Sequence, residues 1–139
     1  MQDSHAPENI FKWKVRDDDP NAVEILGLDD GLDSKELTEL TVPNEIDGKR
    51  VVAIGDRAFY RRSSLTAIRL PEGLTTIGDR AFYHCFSLTA IKLPEGVTTI
   101  GEGAFFRIPD DCVFYVYPGT YAYRWAIENG YDVVIRRRD

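Results

Sequence analysis

The feature that most constrains this chain is an internal duplication: residues 54–76, IGDRAFYRRSSLTAIRLPEGLTT, are followed at once by residues 77–99, IGDRAFYHCFSLTAIKLPEGVTT. The two copies agree at 18 of 23 positions, and Ile54, Ile77 and Ile100 recur at that spacing. A unit of this size cannot bury its apolar face alone. It does so against a copy of itself, so a fixed period of about 20–50 residues marks a repeat architecture with one continuous core.

Within a unit the pattern predicts the local structure. In Leu65-Thr66-Ala67-Ile68-Arg69-Leu70 the apolar Ile68 and Leu70 alternate with residues that leave that face, the period of a short strand. Pro71 stops it, and Pro71-Glu72-Gly73 suits a type I turn with proline second and glycine last. Leu74 and Ile77 form a second inward pair, and Gly78 is expected to adopt a backbone angle closed to other residues. Asp79 is then expected to cap a short helical turn over residues 80–85, with Phe82 and Cys85 facing inward. Stacked copies would place Ile68 on Ile91, Leu70 on Leu93, Ile77 between Ile54 and Ile100, and Phe82 between Phe59 and Phe105.

The run Leu-x-x-Ile-x-Leu-Pro-x-Gly-Leu/Val-x-x-Ile-Gly-x-x-Ala-Phe-x-x-Cys resembles the BspA-type leucine-rich repeat and covers residues 37–108. The inward cysteine of that pattern is Cys85 in one unit, Arg62 in the unit before and Ile108 in the unit after, and Arg62 is expected to open the first turn. The resemblance implies an α/β fold: a short right-handed leucine-rich-repeat solenoid with parallel strands, short helical turns and amino- and carboxy-terminal caps. It also implies a bacterial cell-surface or secreted protein that recognises host or matrix partners. Neither an apolar leader nor an anchor is visible in the chain, so a cytoplasmic location stays open.

The rest of the chain reads as a single leucine-rich-repeat domain over residues 1–139. A flexible tail spans residues 1–9, an amino-terminal cap with a degenerate first repeat spans 10–53, the tandem repeats span 54–108, and a carboxy-terminal cap spans 109–139. Alternation in Phe11-Lys12-Trp13-Lys14-Val15 predicts a half-buried strand, and residues 22–28 a second one. Residues 37–43 repeat the strand pattern, followed by a wider turn at Asp47-Gly48. Towards the end, residues 112–118 read as a strand, Thr120 as the cap of a helix over residues 121–128 ended by Asn129-Gly130, and residues 131–135 as a last strand.

Chemistry is sparse. Two histidines, His5 and His84, stand 79 residues apart, and nothing supplies a triad or a zinc set, so no catalytic residue, metal ligand or cofactor is expected and the protein is read as not an enzyme. Asp17-Asp18-Asp19 lacks the glycine and distal glutamate of a calcium loop and reads as an acidic hairpin turn. Cys85, at an inward position, is expected as an inert thiol, and a bridge from it to Cys112 is not expected because the repeat position needs none. A net charge of −6, with basic residues interleaved with acids, argues against nucleic acid. No apolar run approaches the roughly 20 residues needed to insert in a membrane.

The outward ladders remain, because a repeat reproduces its surface as faithfully as its core. Tyr60, Tyr83 and Phe106 form one aromatic row beside Arg61, His84 and Arg107, and Arg69 stands next to Lys92. Tyrosine and arginine in one patch favour protein contact, so these eight residues are the expected partner surface, with a glycan as the other ligand class and a monomer as the expected state. The alternative is a spacer domain of a larger protein with no ligand of its own.

Overall fold

Along the chain, a hairpin of β1 (Phe11–Arg16) and β2 (Asp19–Leu28) is followed by β3 (Glu39–Thr41), β4 (Glu45–Ile46) and β5 (Lys49–Ile54). The repeats add β6 (Ala67–Arg69), β7 (Thr76–Ile77), β8 (Ala90–Lys92) and β9 (Thr99–Ile100), and the chain closes with β10 (Val113–Val116), α1 (Tyr121–Glu128) and β11 (Asp132–Ile135). The structure, a computed structural model, describes residues 10–29 and 37–137. The tail expected over residues 1–9, with His5, and Arg138 at the chain end lie outside the described residues.

Each repeat gives one strand to each of two sheets, because each apolar pair faces the core and its alternate residues face water. One sheet runs β1-β2-β5-β7-β9, with β4 paired to β5, and the other runs β11-β10-β8-β6-β3. The registers are those of the duplication: Ile54 pairs with Ile77 and Ile77 with Ile100, all parallel, while Ile68 pairs with Ile91. Threonine hydroxyls tie the rungs, Thr66 Oγ1 donating to Thr38 O at 2.9 Å and Thr89 Oγ1 to Thr66 O at 3.2 Å. The wide turn at Asp47-Gly48 joins β4 to β5 with both residues left-handed, the backbone that a two-residue Asp-Gly hairpin requires.

The expected helical turns are not helices. Arg57 and Arg61, then Arg80 and His84, then Gly103 and Arg107 all have φ between +54° and +68°. A left-handed residue at every fourth position breaks the helical path, at a cost of about 1 kcal/mol for each residue other than glycine. The offset is a third ladder of backbone hydrogen bonds between rungs. Arg57, Phe59 and Arg61 donate their N–H groups to the carbonyls of Asp79, Ala81 and Tyr83, and Arg80, Phe82 and His84 donate to those of Glu102, Ala104 and Phe106, at 2.7–3.1 Å. A continuous helix would spend those donors internally.

Three local expectations change with it. Asp79 caps no helix: its Oδ1 accepts from Glu102 N on the next rung at 2.9 Å, as Asp56 Oδ1 accepts from Asp79 N at 2.8 Å. Gly78 is not left-handed; a Cβ there would lie 2.6 Å from Asp56 N and 2.8 Å from Gly55 C, so it is glycine because the neighbouring rung leaves no room. Leu74 N donates to Pro71 O at 3.2 Å, which makes proline the first residue of that turn and Gly73 the third.

The core is one apolar cluster, with Phe59, Phe82 and Phe105 at its centre. Their rings stack at centroid distances of 5.4 and 5.1 Å. At the carboxy-terminal side Phe114, Trp125 and Tyr131 close the column, Trp125 lying 5.5 Å from Phe105, and Tyr131 Oη donates to Phe105 O at 3.2 Å. Thr120 caps α1 through Tyr123 N at 3.1 Å, and α1 turns Ala122 and Ala126 inward while Ile127 stays exposed. At the amino-terminal side β2 lies in parallel beside β5.

Candidate functional site

The left-handed turns set the surface. In each, the residue before the second left-handed position carries an aromatic ring: Tyr60, Tyr83 and Phe106. Inter-rung hydrogen bonds fix the spacing, so the tyrosine rings stack at 5.1 Å with planes 10° apart, and Phe106 continues the row 6.5 Å from Tyr83. Both tyrosines are half-buried, whereas Phe106 is 61% exposed.

The left-handed residues themselves place Arg61, His84 and Arg107 beside this row. Arg61 lies over the Tyr60 ring at 5.6 Å, and His84 lies 5.2 Å from Tyr83. His84 is held below the ordinary histidine range, first by desolvation and then by the charges of Arg61 and Arg107 on either side. Its neutral form is therefore favoured between the two arginines.

One member escaped the sequence reading. Phe86, 54% exposed, packs 4.2 Å from His84 and extends the aromatic surface. The preceding copy has Ser63 at that position, so the repeat offers no row to find it by; the only signal was a phenylalanine where its copy has a serine.

Arg69 and Lys92 belong elsewhere. They are paired in register on β6 and β8, point away from the buried Ile68 and Ile91, and line a pocket of about 150 Å³ with Leu70, Glu72, Pro94 and Arg136. None of the six turn residues lines it. The eight residues expected as one partner surface thus form two separate groups.

The cysteines offer no reactive centre. Cys85 and Cys112 are free and buried, Cys85 Sγ donates to Phe59 O at 3.3 Å, and burial pushes both thiols up to about 12. Asp18 and Asp19 of the acidic turn face Arg16 at 3.2 Å and Arg50 at 3.0 Å. Among the described residues no three His, Cys, Asp or Glu side chains are grouped to hold a metal ion, and no helix is long and apolar enough to cross a membrane.

A family profile described as BspA type leucine rich repeat region matches residues 32–110 in six copies, more than half of the chain. No curated protein matches it. Among solved structures, a leucine-rich repeat protein from Bacteroides capillosus superposes with a TM-score of 0.54 at 19% identity, over 78% of this chain and 94% of that one. A leucine rich repeat protein of T. pallidum gives 0.45 at 22% identity, over 76% and 68%. A leucine rich cell surface protein from Faecalibacterium prausnitzii gives 0.36 at 18%, over 86% and 45%. At these identities the likeness is one of fold, and the Bacteroides capillosus structure carries it.

Proposed function

The chain belongs to the BspA-type leucine-rich repeat family, and on that premise we propose that it is a non-enzymatic binding module whose aromatic turn edge engages another protein. The observation that carries the reading is the exposure of Phe106 and Phe86 at 61% and 54%, contiguous with the stacked tyrosines and flanked by Arg61 and Arg107. Large rings held rigidly lose little entropy on binding, and aromatic and arginine side chains supply most interface hot spots. The two flanking cations favour a partner that presents apolar residues beside acidic ones.

In the same reading the two sheets, parallel through the repeats, are opposite sides of a short right-handed solenoid, one repeat per turn, since parallel strand connections are right-handed almost without exception. We further propose, from the family resemblance, that the module sits at a bacterial cell surface, where protease treatment of intact cells would remove it; survival of the protein under conditions that digest a surface marker would contradict that proposal.

The test of the binding edge is affinity capture with the folded chain, comparing the parent with a Tyr60→Ala/Tyr83→Ala variant and a Phe86→Ser/Phe106→Ala variant. A partner retained by the parent and lost from both variants, each still folded by circular dichroism, is the expected result. Equal retention by parent and variants would remove this edge from the interface.

A further inference from the structure

The pocket at Arg69 and Lys92 carries a separate argument. The two residues sit directly opposite one another on adjacent parallel strands, which are about 4.8 Å apart. Like charges in that relation repel and destabilise a sheet. Yet the duplication keeps a cation at this position in both copies, changing only arginine to lysine. Neither residue forms an ion pair among the described residues.

A third cation is built in from outside the repeats. Arg136 follows β11, and its Nη1 donates to Leu93 O at 3.3 Å while its guanidinium lies over the Tyr117 ring at 4.4 Å. Those contacts fix the group at the pocket wall instead of letting it swing into solvent. Three cations therefore converge on about 150 Å³ with a single carboxylate, Glu72, in a chain whose net charge is −6. The apolar wall is Leu70 and Pro94.

We propose that this pocket is a binding site for an oxyanion, the sulfate group of an acidic saccharide. Arginine and lysine are the donors such groups use, arginine through its two-pronged fork and lysine as a point charge. A saccharide fits better than an acidic peptide. Strands β6 and β8 are interior to their sheet, so their backbone groups are already paired and an incoming peptide finds no edge on which to add a strand. Recognition there runs through side chains alone, and the half-buried Tyr115 stands next in register to Lys92, where a sugar reaching past the pocket would meet it.

The test is a titration of the full chain with a sulfated oligosaccharide, followed by backbone amide shifts, alongside the desulfated oligosaccharide and a polyglutamate peptide of equal charge. Saturable shifts around Arg69, Lys92 and Arg136 are expected, weakening as salt rises because exposed charges are screened. Arg69→Ala and Lys92→Gln each weaken binding at least about tenfold, the usual worth of one charge-assisted hydrogen bond. Glu72→Gln tightens it, and the Tyr60→Ala/Tyr83→Ala variant binds as the parent does, which separates this site from the turn edge. Binding unchanged by Arg69→Ala and Lys92→Gln, equal binding of the desulfated sugar, tighter binding of polyglutamate, or no saturable binding at low salt would each overturn the proposal.

Discussion

Phe82 has no exposed surface, and its ring lies between those of Phe59 and Phe105 at van der Waals spacing. Its neighbour Tyr83 is half-buried. Removing the Phe82 ring leaves a cavity that hydrogen-bonded rungs cannot collapse to fill, so Phe82→Ala is expected to cost about 3–5 kcal/mol in urea denaturation and Tyr83→Ala clearly less. The two buried thiols make a pH prediction. An unfolded cysteine titrates near about 8.5, whereas both folded groups are pushed up to about 12. Their neutral form is favoured by folding, so the contribution is whole below the unfolded value and is lost as pH rises towards the folded one, by up to about 1.4 kcal/mol per pH unit for each thiol. Denaturation at pH 8 and pH 10 should show that loss, and Cys112→Ala should make it shallower. A thiol reagent at pH 8 should label neither cysteine until the protein is unfolded.

At the scale of the element, the turns are where prediction and structure part. Strands, the Thr120 cap, the α1 span and the ring column were legible, because each rests on a hydrophobic period or on a residue type with one structural use. The turns were not, because Asp-Arg-Ala-Phe-Tyr-Arg reads locally as a capped helical turn, and only the neighbouring rung converts its N–H groups into inter-rung donors. One signal was present: Gly103 stands where the earlier copies have Arg57 and Arg80, as a left-handed position invites. Arg80→Gly accordingly stabilises the protein by roughly 0.5 kcal/mol in chemical denaturation, whereas in a helix interior the same change would cost about 1 kcal/mol. Gly78→Ala behaves in the opposite way. Its methyl would meet the backbone of Gly55 and Asp56, which other rungs hold in place, so a loss of more than about 2 kcal/mol is expected despite an ordinary backbone angle. The same locality explains the candidate site: the repeating rings could be read as a row, while Phe86 stands where the preceding copy has Ser63 and Arg136 lies beyond the repeats, so neither had a row to join.

For the molecule as a whole, the duplication does two jobs with one geometry. Registering each unit on the next lines up the apolar residues that hold the fold together, and the same registration lines up Tyr60 with Tyr83 and Arg69 with Lys92 outside. The hairpin β1–β2 at one side and the Phe114, Trp125 and Tyr131 cluster at the other occupy the ends where a further repeat would have packed. Both proposed surfaces are built on that registration, to which Phe86 and Arg136 are added. The registration is tested most directly by nuclear Overhauser contacts between selectively labelled phenylalanine rings. Strong contacts from Phe82 to both Phe59 and Phe105, with none directly between Phe59 and Phe105, are predicted from centroid distances of 5.4 and 5.1 Å. Absence of either contact from Phe82 in the folded protein would contradict the account.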